Sequence, residues 1–109
     1  MITDTAEQVS LFSSGLDELE SLLAGQIAAA KQGNMNEVGI LNARADVVVE
    51  QLIRAGVLAS AEFQRRQERL QKLYDDLQMV LSAQKSETAE NLSRIHKGRQ
   101  TIEVYRSSV

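Results

Sequence analysis

Apolar residues recur at three- and four-residue intervals along most of this chain, and two glycine-centred interruptions cut the pattern into three helical runs. In the first run Val9, Phe12, Leu16, Leu19, Leu23 and Ala30 share a face, with Gln26 and Ile27 dividing the remaining turn. Asp4 with Glu7 and Ser14 with Asp17 each offer a capping oxygen followed three residues later by a carboxylate. Val9 and Phe12 are in phase with the later positions, which favours the earlier start, and Ser13-Ser14-Gly15 predicts a local kink. Gly33-Asn34 then closes one helix and caps the next, because glycine accepts the left-handed conformation and Asn34 precedes Glu37 by three positions. In the second run Val38, Leu41, Ala45, Val48, Leu52 and Ala55 follow the alternating spacing of a coiled-coil seam. Gly56 ends it, Val57-Leu58 tuck against the bundle end, and Ser60 caps the third run.

The third run contains no proline and one glycine, Gly98, up to Arg106, and reads as one long helix. Its apolar stripe is dense from Phe63 through Leu70, Leu73, Leu77, Val80 and Leu81, with Tyr74 alongside. Gln84-Lys85-Ser86-Glu87-Thr88 interrupt the stripe, which returns thinner at Leu92, Ile95, Ile102 and Tyr105, with Val104 on another face. The pattern thus gives one domain over residues 1–109, with helix one at about 5–32, helix two at about 35–55 and helix three at about 60–106. The expected fold is all-α: an antiparallel three-helix bundle, hairpin-like and coiled-coil-like, with a long overhanging C-terminal helix. Helix three would extend about 70 Å against about 30 Å for helix two, leaving its second half without cover inside the chain.

Composition narrows the function classes. Apolar residues make up 43% of the chain and charged residues 25%, a globular balance, while the absence of cysteine excludes disulfides, thiol nucleophiles and zinc–thiolate sites. Residues 1–59 carry eight acidic and three basic side chains, and residues 60–109 carry seven acidic and nine basic. An acidic half beside a mildly basic one disfavours nucleic acid as a partner. Met1-Ile2-Thr3-Asp4 has neither a cationic region nor a long apolar core, and the longest apolar stretches, such as Ile27–Ala30, are far too short to span a bilayer. A cytoplasmic, soluble protein without membrane insertion is expected.

Little in the chain suggests catalysis. His96 has no acidic or second histidine neighbour one turn away and reads as a surface residue. Asp17-Glu18-Glu20 and Asp75-Asp76 lie on polar helix faces, and acid–base work by paired carboxylates needs a pocket that short loops do not provide. The glycines are scattered and form no phosphate loop. Neither an enzyme nor a cofactor or metal is expected. Arg65-Arg66-Gln67-Glu68-Arg69 with Lys72 reads as a solvated face carrying Glu62–Arg66 and Glu68–Lys72 pairs. The C-terminal segment is different, because it joins basic residues to an uncovered apolar set and a late tyrosine. Leu92, Ile95, Ile102, Val104 and Tyr105 are therefore the candidate residues for binding a client helix.

Leu19-Glu20-Ser21-Leu22-Leu23 before the Gly33-Asn34 turn, Leu73-Tyr74-Asp75-Asp76-Leu77 in the long helix, Ala83-Gln84-Lys85, and Lys97-Gly98-Arg99-Gln100 ahead of Tyr105-Arg106 give the chain a resemblance. It resembles the FlgN/FliT-type flagellar type III export chaperones over most of its length. The resemblance implies a non-enzymatic cytoplasmic chaperone that binds flagellar hook-associated or filament-cap subunits and delivers them to the export-gate protein. It implies client capture by the C-terminal helix and docking on the gate through Tyr105; the chain departs from the family in being short and in showing no recognisable extra C-terminal helix beyond the third. Two other readings use the same strip: a structural coiled-coil homo-oligomer, such as a homodimer in which two overhangs pack together, and a regulatory helical adaptor.

Overall fold

Two left-handed glycines and two side-chain caps set the boundaries of the first three helices. Gly33 takes φ 74° and Gly56 takes φ 77°, conformations that other residues adopt only with strain. After Gly33 the amide of Asn34 donates to the carbonyl of Ala29 at 2.9 Å, and the Asn34 side chain accepts from the Glu37 amide at 3.2 Å. Ser60 is wholly buried; its Oγ accepts from the Phe63 amide at 3.1 Å and donates to the Val57 carbonyl at 2.5 Å. The computed structural model describes residues 6–84 and 89–107, with side chains described over 10–84 and 93–104. The elements are α1 (Ala6–Lys31), α2 (Met35–Arg54), a 3₁₀ turn (Val57–Ala59), α3 (Ala61–Ser82) and α4 (Ala89–Ser107). The Asp4 cap expected for the first helix lies outside the described residues.

The short Gly33-Asn34 connection makes α2 antiparallel to α1, and α3 returns alongside α1, with Arg66 beside Asp17 near one end and Gln84 Nε2 3.3 Å from the Ala30 carbonyl near the other. α4 runs back along α3: Gly98 lies against Tyr74, and Arg99 pairs with Asp75. In cross-section the helices form a ring in the order α1–α2–α4–α3, with the α2–α4 edge the sparsest. The core combines Leu16, Leu19 and Leu23 of α1, Val38, Ala45 and Leu52 of α2, Phe63, Leu70, Tyr74, Leu77 and Leu81 of α3, and Ile95 and Ile102 of α4. Val57 and Leu58 are buried in the same cluster. Gln26 is also fully buried, and its amide has no hydrogen-bond partner among the described residues.

The all-α bundle expected from the pattern is present; the long overhang is not. Helix three does not run through 60–106: α3 ends at Ser82, and a fourth helix takes the place of both the overhang and the expected lack of a further C-terminal helix. The physical reason lies in the stripe. The polar residues 84–88 contribute no apolar surface for more than a turn, so a continuous helix would carry Ile95 and Ile102 into water. Folding back buries both, and each fully buried aliphatic side chain contributes about 1.5–3 kcal/mol. Residues 85–88 lie outside the described residues.

Candidate functional site

The candidate client-binding residues separate in three dimensions. Ile95 and Ile102, seven positions apart, share one face of α4 and are 1% and 0% exposed in the core. Val104 is 64% exposed on another face. The side chains of Leu92 and of Tyr105, the residue also expected to dock on the export gate, lie outside the described residues. Ile95, Ile102 and Val104 thus do not form one open strip: the two isoleucines are covered by the bundle itself and Val104 lies on another face.

α4 packs mainly against α3 and more sparsely against α2. Ile95 and Ile102 are its only buried apolar side chains among the described residues. Between them Gly98 allows close approach: a Cβ there would stand 3.1 Å from both Cε1 and Oη of Tyr74. Arg99 Nε donates to Asp75 Oδ1 at 2.5 Å, and Arg99 Nη1 lies 3.1 Å from Glu103 Oε2. The hydrogen bond to Asp75 holds the Arg99 guanidinium above its usual range. A solvent-facing pair of this kind contributes at most about 1 kcal/mol.

The opposite edge of α4 leaves a cleft of about 420 Å³ against α2, with Asp46, Val49 and Ile53 on one wall and Arg94, Lys97 and Thr101 on the other. Partial burial pushes the Asp46 carboxyl above its usual range, and the charges of Arg94 and Lys97 oppose that shift. Burial pushes the Tyr74 phenol up, and Asp46 adds to the effect. Tyr74, Gly98 and Asp46 were not singled out as a site by the sequence pattern. They come from three helices, and only the return of α4 brings them together.

The remaining charge clusters are mutually neutralised at the α1–α3 seam. Arg66 bonds to Asp17, donates to the Ser13 carbonyl at 3.1 Å and lies 3.5 Å from Glu20, while Arg69 reaches Glu20 at 2.8 Å. The bond to Asp17 raises the Arg66 pKa above its usual value. The expected Glu62–Arg66 pair forms at 3.7 Å, whereas Lys72 pairs with Asp76 at 3.3 Å and not with Glu68. His96 is exposed, 3.2 Å from the Gln100 amide. Among the described residues no helix is long and apolar enough to cross a membrane. Comparison with known proteins finds no matching family model, curated protein or solved structure.

Proposed function

We propose that this protein is a non-enzymatic helical binding module that captures an amphipathic client helix on its α3/α4 face, and that the client is a flagellar hook-associated or filament-cap subunit carried in the cytoplasm to the type III export gate. The observation that carries the binding reading is the cleft that α4 leaves on its α2 side while it closes over α3 with Ile95 and Ile102. Lifting α4 opens Ile95 and Ile102 on one surface and the apolar side of α3 around Tyr74 and Leu77 on the other. A client helix with i, i+3, i+7 apolar spacing replaces the contacts that α4 gives up. The flagellar client and the role of Tyr105 at the gate rest on the resemblance carried by Lys97-Gly98-Arg99-Gln100 and Tyr105-Arg106. A regulatory adaptor would use the same face for a different client. A homodimer of overhangs has no such surface here, because both isoleucines are covered.

The chain has no cysteine, so Asp75→Cys with Arg99→Cys introduces a unique pair across the α3–α4 seam. Bridging it with a short bismaleimide fixes α4 in place. The unbridged double variant is expected to retain purified hook-associated or cap subunits, and the bridged protein to lose them while keeping its helical content. Equal retention by both forms would remove α4 opening from the mechanism, and no retention by either would remove the flagellar client.

A further inference from the structure

α2 turns one face away from the other three helices. Ile40 is 49% exposed and Val47 54% exposed, and with Ala43, also exposed, they stand at i, i+3 and i+7. The spacing makes an apolar strip about 10 Å long. A shallow groove of about 350 Å³ runs beside the strip between α2 and α1, with Glu18 on its α1 wall and Arg44 and Val47 on its α2 wall. Glu18 and Arg44 are both exposed, and neither has an ion-pair or hydrogen-bond partner among the described residues. Elsewhere on α1 the neighbouring carboxylates of Asp17 and Glu20 are taken up by Arg66 and Arg69.

We propose that this face binds a second copy of the chain through a two-fold, antiparallel α2–α2 contact. The argument is self-complementarity: one groove carries an apolar strip, an unpaired acid and an unpaired base. A two-fold contact that seats Val47 against Ile40 of the copy also seats Ile40 against Val47 of the copy. The axis then passes between Ala43 and Arg44, where the small Ala43 side chain lets the helices approach to about 8 Å. An axis perpendicular to the plane of the two α2 helices keeps both α1 helices on the same side. Arg44 of each copy therefore extends towards Glu18 of the other, and both unpaired charges gain partners. The apolar strip covers only two turns, which fits a reversible dimer with a dissociation constant on the order of 10 µM and not an obligate one. The contact leaves α3 and α4 uncovered and is independent of the client reading.

Sedimentation equilibrium on the full chain, from about 1 to about 500 µM, tests the proposal. The parent is expected to show a monomer–dimer equilibrium. Glu18→Arg alone and Arg44→Glu alone should each weaken it by about tenfold, because each brings like charges together twice across the axis. The double swap of Glu18→Arg with Arg44→Glu should restore the parent constant to within about threefold. All three variants change exposed side chains, so circular dichroism should show unaltered helix content. A chain that stays monomeric throughout overturns the proposal. So does a dimer indifferent to the single swaps, and so does a double swap as weak as either single one.

Discussion

Tyr74 is the residue on which the packing of α4 and the chemistry of the seam meet. It is 3% exposed, with Gly98 pressed against its ring edge and hydroxyl. Its phenol is pushed above the ordinary value of 10.0, chiefly by burial and further by the Asp46 carboxylate. A raised folded-state pKa means that the folded chain keeps the proton where the unfolded chain releases it. The stabilising contribution is whole below pH 10.0 and falls as pH rises beyond it, by up to about 1.4 kcal/mol for each pH unit. Urea unfolding between pH 9 and pH 11.5 should therefore show a steeper loss of stability in the parent than in Tyr74→Phe, which has no phenol to ionise there. Parallel curves would mean that the phenol reaches water in the folded chain. Asp46 carries the same sign at acidic pH: its raised pKa favours the protonated form, so its folded-state penalty appears as pH rises above 3.8.

Among the described residues, α4 joins the core through Ile95 and Ile102. Ile102→Ala removes a fully buried side chain and is expected to cost about 2–5 kcal/mol at α4, with Ile95→Ala in the same range. Ile95→Asp with Ile102→Asp, which would be harmless to the bundle if these residues lay on an open overhang, should instead undock α4. Native-state hydrogen exchange separates undocking from global unfolding. In the parent, α4 amides should exchange through openings of lower free energy than those in α1 and the buried turns of α3, and Ile102→Ala should speed α4 alone. Uniform acceleration over the whole chain would show that α4 unfolds only with the bundle. The sequence pattern made the other element boundaries legible because each has a local cause: the φ angles of Gly33 and Gly56, and the caps of Asn34 and Ser60. The break before α4 had no such mark. Residues 84–88 include neither glycine nor proline, and all are tolerated in a helix. What decides the break is the burial of Ile95 and Ile102 against α3, a tertiary contact invisible to local propensity. The stripe itself was readable from its spacing, but not what would cover it.

At the scale of the molecule, the competition between an overhang and a returning helix is a competition between two shapes. Principal extents are 46 × 24 × 19 Å with a Cα radius of gyration of 14.1 Å, close to the value of about 13 Å for a compact domain of this length. A continuous third helix would by itself span about 70 Å. Small-angle scattering in dilute solution, where self-association through α2 is absent, distinguishes the two without ambiguity. The free chain should give a radius of gyration within a few ångströms of 14.1 Å and a maximum dimension well short of the long-helix span. A maximum dimension near about 70 Å would mean that α4 continues α3 in solution and that Ile95 and Ile102 are uncovered in the free chain. The two outcomes assign the cost of binding differently. For the client proposed above, a closed chain would first give up the burial of two isoleucines, and its apparent affinity would be reduced by the fraction of molecules that are closed. Ile102→Ala should then weaken the bundle and, by raising the open fraction, offset part of the client contact it removes. In an open chain the same substitution would only lose contact, so comparing client affinity for Ile102→Ala and Val104→Ala against the scattering result tests whether closure of α4 sets the affinity.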